Sequence, residues 1–267
     1  MSVHRLASVG VIVCVAALWA GPVAFAGENG EPDRGSIGFT FDDGPQPTWT
    51  RVVLDVLDRY GIKATFFVQG WRVERYPELA REIVSRGHSI QVHGFSHTAF
   101  TRLTDVDLVA ELRRTSDAIF EATGLRPTCV RPPYGAANDR VRRVIAEFGL
   151  KTVIWDVNSV DYSTRSASQV LHQVLRRTEP GDDILGHDTL GWIWRDALPG
   201  LIAEFSARGV GFDTICENYD PALGPEGMAA HDGSVGGPRS VGSRVGPGRD
   251  RGWRVAAGAE RSRVSHR

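Results

Sequence analysis

Between residues 35 and 220, short apolar runs alternate with stretches whose apolar residues recur at helical spacing. The pattern predicts strands over 37–41, 64–68, 89–92, 128–131, 152–156, 183–185 and 211–215. Helices are predicted over 48–60, 77–86, 105–123, 139–148, 167–177 and 196–208. Thr104 is suited to cap a helix start, and Gly61, Gly87, Gly124, Gly149 and Gly209 each follow a helical stretch, where a left-handed residue is often needed. Strand-helix alternation with this punctuation predicts an α/β fold with a mostly parallel sheet. No internal repeat is apparent.

The two ends of the 267-residue chain depart from this pattern. Residues 1–26 begin with a short basic start and continue as an almost wholly apolar run that closes on Ala24-Phe25-Ala26. This reads as a secretory signal peptide, with an uncleaved anchor as its rival. A short linker over 27–34 follows. From 221 to 267, Gly, Arg, Ser and Pro dominate and apolar periodicity stops, so a disordered tail is expected. The formal charge of −1 hides an asymmetry. Arg5 gives the leader +1, the tail carries +4, and residues 27–220 are left at −6. An acidic domain argues against nucleic acid as a partner. No later segment approaches membrane-spanning length, so an exported, cell-wall-associated or extracellular monomer is expected, without stable membrane insertion. Cys129 and Cys216 remain after the leader. Two buried thiols and a disulfide are both open, because spacing does not fix geometry.

The candidate chemistry gathers where strands end. Asp42-Asp43-Gly44 closes the first predicted strand, and His93-Gly94-Phe95-Ser96-His97 follows the third. Adjacent carboxylates repel, and a metal ion would relieve them by taking one as ligand and leaving the other free as a base. One carboxylate and two imidazoles leave coordination positions open, as catalytic sites do. Each motif alone has a plainer reading, the first as a turn and the second as a surface pair. Arg131-Pro132-Pro133-Tyr134-Gly135 is a stiff loop able to aim an Arg and a backbone N–H, or else a simple turn. His187, past the run 183–185, suits a titratable acid with Asp161 as its partner. Trp192 and Trp194 follow, as groove-lining or packing residues, and His88 reads as structural.

In this order the motifs Thr40-Phe41-Asp42-Asp43-Gly44, His93-x-x-x-His97, Arg131-Pro132-Pro133-Tyr134 and Leu185-x-His187 resemble those of the polysaccharide deacetylase family, the NodB-like domain, over roughly 35–219. The resemblance implies a distorted (β/α) barrel of about seven parallel strands with its active site at their C-terminal ends, and a catalytic domain over 35–220. It implies metal-dependent removal of acetyl groups from carbohydrate polymers, above all N-acetylglucosamine units of peptidoglycan or chitin-like glycans. Acetylxylan esterase and a catalytically silent carbohydrate-binding protein are the alternatives. Carried over, Asp42 is the base, Asp43, His93 and His97 are the ligands of one divalent ion (zinc, or cobalt or nickel), and Arg131 pairs with the base. The Tyr134 backbone N–H is an oxyanion donor, His187 the acid and Asp161 the residue that sets up the acid. Leu185, Tyr162 and Trp192 are expected to contact substrate. Gly94 replaces a frequent Ser or Thr, an exchange expected to loosen the loop between the His ligands. Asn158 and Tyr162 replace a frequent Asp and Trp.

Overall fold

β1 (Ser36–Asp42) is buried along nearly its whole length, as a strand covered on both faces must be. β2 (Thr65–Val68) flanks it on one side and β7 (Asp183–His187) on the other. β3 (Ser89–Val92), β4 (Cys129–Val130) and β5 (Lys151–Thr152) extend the sheet beyond β2, and β6 (Val157–Asn158) extends it beyond β7. β8 (Gly211–Phe212) pairs with the first residues of β1. The order is β5-β4-β3-β2-β1-β7-β6, and every pairing between strands is parallel. The computed structural model describes residues 35–222. The leader over 1–26, the linker over 27–34 and all but the first two residues of the 221–267 tail lie outside the described residues.

The sheet is the expected distorted barrel, a curled, partly open one. β5 and β6 end the path, and residues 153–156 cross between the two edges. There the reading of 152–156 as one strand fails. The Val153 N–H still donates to Val130, but that of Asp156 donates to Asp183 on the far side, so the run divides between two strands. β6, two residues long, leaves no periodic signal.

Helices pack around the sheet: α1 (Trp49–Arg59), α2 (Gly70–Arg75), α3 (Pro77–Ser85), α4 (Asp105–Thr123), α5 (Asp139–Phe148), α6 (Asp161–Thr164), α7 (Ala167–Arg177) and α8 (Gly191–Ala207). The start and stop signals are real. The Thr104 hydroxyl accepts from Asp107 N–H, Asn138 caps α5 in the same way, and Gly124 and Gly149 are left-handed at the ends of α4 and α5. α8 begins at Gly191, five residues before the expected 196, because the buried stripe Ile193, Trp194, Ala197, Leu198, Leu201, Ile202, Phe205 already starts there. α2 and α6, of six and four residues, are too short to show a period and were not predicted.

Cys129 and Cys216 form a disulfide with their Cα atoms 6.3 Å apart, which resolves the open alternative in favour of the bond. It lies in a small apolar cluster with Phe67 and Val153.

His88 is structural, as read. Its Nδ1 accepts the Ala64 N–H, so the ring is neutral, and burial, with the nearby Lys63 and Arg86 charges, lowers its pKa to about 4 against the pull of Asp58. An unfolded imidazole titrates near 6.5, so the unfolded chain binds the extra proton between those values. Stability from this group is present above pH 6.5 and is lost as pH falls toward 4. Burial raises Asp183 to about 6, which acts in the opposite sense, so a variant pair gives the cleaner test. Asn at position 88 can keep the acceptor without the titration. The stability advantage of wild type over His88→Asn, from urea unfolding, should shrink by roughly 2–3 kcal/mol between pH 7 and pH 4.5. An advantage independent of pH would refute the assignment.

Candidate functional site

The C-terminal rim of the sheet carries the site, one strand at a time. Read across the sheet, Arg131 follows β4, His93 follows β3, Gln69 follows β2, Asp42 ends β1 with Asp43 next, His187 ends β7, and Asp161 lies three residues beyond β6. Asp42 and His187 are register partners across the β1–β7 pair. Parallel pairing thus brings together residues as far as 145 positions apart in sequence.

Asp43, His93 and His97 each offer one ligand atom, and the three atoms lie within 4.8 Å of one another. Asp43 Oδ1 is 3.1 Å from His97 Nε2 and 3.6 Å from His93 Nε2. His93 donates its Nδ1–H to the Arg131 carbonyl at 2.7 Å, which fixes the tautomer and leaves the Nε2 lone pair facing the carboxylate. Burial holds the His93 pKa below its ordinary value, so the ring is neutral as a ligand must be. Burial works to raise Asp43, but the His97 hydrogen bond and the charges of His93 and His187 outweigh it and hold the carboxyl well below the usual range. A carboxylate and two imidazoles converging on one point fit a divalent cation and leave positions for water and substrate.

Asp42, 2 % exposed, sits beside this triad. Its Oδ1 accepts from Arg131 Nη1 at 2.8 Å, and Oδ2 lies 3.7 Å from His93 Nε2. Arg131 is fully buried and also donates to Thr40 Oγ1 at 2.6 Å. Across the rim, Asp161 accepts four hydrogen bonds at 2.8 Å, from the His187 N–H and Nδ1, the Tyr162 N–H and Trp194 Nε1. Burial works to lower the His187 pKa, but the Asp161 hydrogen bond and charge, with Asp42 and Asp43, raise it to about 9.

Backbone strain concentrates here. Asp43, His97, Tyr134 and Val160 all have positive φ, from 54° to 78°, and each is a site residue or adjoins one. Left-handed backbone costs about 1–3 kcal/mol at a non-glycine residue and collects where function over-determines the geometry. Gly44 is needed for a different reason, since a Cβ there would run into the Asp188 carboxyl.

Several residues were not foreseen. Gln69 Nε2 donates to Asp43 Oδ1 at 2.8 Å, and its Oε1 accepts from Trp71 Nε1 at 2.6 Å. From α4, Glu111 accepts the N–H groups of Phe95 and Ser96 and the Ser96 hydroxyl, pinning the loop between the two His ligands. The expected loosening at Gly94 is therefore not found; Gly94 takes φ 74° and accepts the Gly70 N–H within that pinned loop. Asn158 keeps the acceptor a carboxylate would offer, taking the Val160 N–H at 2.8 Å. Asp188, fully buried, accepts from Thr50, and burial raises its pKa to about 7 despite that bond.

The expected substrate contacts divide. Tyr162 is half exposed and meets His187 edge-on at 5.7 Å. Leu185 is buried in β7, two residues before His187 and so on the same strand face. Trp192 is partly buried against the main core and makes no hydrogen bond or ring contact with the other site residues. Trp194 does not line a groove. It is fully buried, because its indole N–H is the partner of Asp161.

The family model described as polysaccharide deacetylase matches residues 29–153. A peptidoglycan-N-acetylglucosamine deacetylase of Bacillus cereus is 34 % identical over 187 residues, covering 68 % of this chain and 86 % of that protein. The chain belongs to the polysaccharide deacetylase family. Within that family, the peptidoglycan-N-acetylmuramic acid deacetylase PdaC of Bacillus subtilis is 35 % identical over 193 residues, 71 % of this chain. The match spans 40 % of the length of PdaC. A solved family 4 carbohydrate esterase from Streptomyces lividans, in complex with acetate, superposes with a TM-score of 0.65 at 35 % identity, over 69 % of this chain and 94 % of the esterase. In this member of the family, Arg131 is paired with Asp42 and His187 with Asp161.

Proposed function

We propose that this protein is an exported deacetylase that hydrolyses acetyl groups from carbohydrate polymers, with N-acetylglucosamine units of peptidoglycan or a chitin-like glycan as substrate and acetylxylan as the alternative. The observation that carries the reading is the pairing of Asp42 and His187 in register beside the Asp43–His93–His97 triad. A disulfide between Cys129 and Cys216 supports an oxidising compartment, in keeping with the leader read over 1–26.

Asp43, His93 and His97 would hold one divalent ion; zinc suits the donor set and cobalt or nickel could replace it. When bound, such an ion supplies Lewis acidity to the acetyl carbonyl and acidifies water. Asp42 keeps Oδ1 on Arg131, which leaves Oδ2 to take a proton from the attacking water. As water adds to the carbonyl carbon, the Tyr134 N–H donates to the developing oxyanion. His187, held through Nδ1 by Asp161, gives its Nε2 proton to the departing sugar nitrogen, or oxygen for an ester, as the acyl bond breaks. Acetate and the free sugar amine or hydroxyl leave. Leu185, Tyr162 and Trp192 are assigned to the walls that receive the acetyl group and sugar.

The acid must be protonated, so activity should persist through neutral pH and fall as pH rises past the His187 pKa. A bound cation offsets the part of that rise due to Asp42 and Asp43, so the Asp161 contribution is isolated by comparison at equal metal loading. Asp161→Asn should move the alkaline limb of the kcat profile down by about one pH unit or more. An unmoved limb would remove Asp161 from its role.

Acetate release from chitin oligomers, peptidoglycan and acetylxylan, offered in parallel to the zinc- or cobalt-loaded protein, tests the reading. Release from at least one, abolished by EDTA, is expected. Silence on all three with metal bound would overturn it.

A further inference from the structure

A cavity of about 630 Å³ is lined by His97, Tyr134, Ala136 and residues of the 98–102 segment. Its volume lies in the range of ligand sites. The Tyr134 ring is 69 % exposed, with its centroid 4.6 Å from that of His97, and presents an apolar surface of the kind that pyranose rings pack on. Thr98 and Thr101 add hydroxyls to the lining. Arg102 is the one Arg or Lys of the lining, and no carboxylate lines the cavity.

Arg102 is exposed. Its guanidinium makes no ion pair, side-chain hydrogen bond or cation–π contact among the described residues. Asp105, three residues along the chain, is already engaged by Arg140 and Arg143 at 2.6 and 3.1 Å. Residues 27–220 carry a formal charge of −6, a field that repels anions unless a local cation opposes it. An unpaired Arg on the lining of a cavity that the ligand His97 also lines supplies that cation.

We propose that Arg102, with Tyr134, forms a subsite for an anionic sugar, taking a carboxylate on the residue next to the one that loses its acetyl group. The planar guanidinium fork matches a carboxylate through two parallel hydrogen bonds. This rests on the deacetylase reading for its register along the polymer and deepens it. A glycan whose neighbouring sugar carries a free carboxylate, as in peptidoglycan strands without their peptide stems, is then preferred over neutral chitin or xylan.

Equilibrium binding separates the two claims, because it does not require turnover. Calorimetry would compare a neutral N-acetylglucosamine oligomer with an equal-length glycan carrying N-acetylmuramic acid with a free carboxylate, on the zinc-loaded full chain. The wild type should bind the anionic glycan about fivefold more tightly or better. In Arg102→Ala the ratio should collapse to near one, Arg102→Lys should restore part of it, and high salt should erase it. The methyl ester of the same glycan should behave as neutral. Equal affinities in wild type, or an unchanged ratio in Arg102→Ala, would overturn the subsite. An Arg102-dependent preference without acetate release would sustain the subsite and sink the deacetylase reading. Arg102 is exposed, so the Ala variant should fold.

Discussion

Asp42→Asn is expected to lower the rate of acetate release by about 10²–10⁴-fold while the protein still binds one divalent ion per chain. Asn is isosteric with the carboxylate, and its amide oxygen can accept the 2.8 Å hydrogen bond from Arg131 in place of Oδ1. The group that then faces the water is an NH₂, which cannot take a proton. Because Asp43, His93 and His97 are untouched, loss of rate with retained metal separates the base from the ligands. Metal content by atomic emission and kcat on the preferred glycan are the two readings. Activity within tenfold of wild type would remove Asp42 from the role of base.

Arg131→Met is expected to destabilise the fold by about 3–5 kcal/mol in urea unfolding. Arg131 is fully buried and stacks 4.2 Å over the Phe67 ring, yet its Nε and Nη2 have no hydrogen-bond partner among the described residues. Its charge is compensated chiefly by Asp42, which is itself buried. Removing the cation leaves a carboxylate with no counter-ion in a dry place, and that desolvation is the main cost. Combining Arg131→Met with Asp42→Asn removes both charges, so the double variant should be more stable than Arg131→Met alone. A double variant that simply sums the two single losses would show that the ion pair is not what holds this end of the sheet.

The parts of the fold that were legible in sequence are those made by long, regular signals. α4, α5 and α7 match their predicted bounds because each has several turns of amphipathic spacing with a capping residue in place. β1, β2 and β3 are short segments buried along nearly all their length, and the residues that end or follow them are the ones that line the rim. The illegible parts lack a local signal. β6 is two residues long, and the partners of the site residues are set by tertiary contact. Glu111 reaches a loop fifteen residues earlier, and Trp194 reaches Asp161 across 33. The Arg131 carbonyl that orients His93 is a backbone atom, to which no residue type points. In sequence Trp194 stands open between groove-lining and packing, because nothing there shows which acceptor its indole N–H finds.

The most direct test is acetate release by metal-stripped protein titrated with zinc. Release should be absent at zero equivalents, rise linearly, and break at one equivalent per chain, with Asp43→Ala showing neither the rise nor tight zinc binding. Full release from the stripped protein, or zinc bound stoichiometrically at this triad with no release from any acetylated glycan, would contradict a metal-dependent deacetylase.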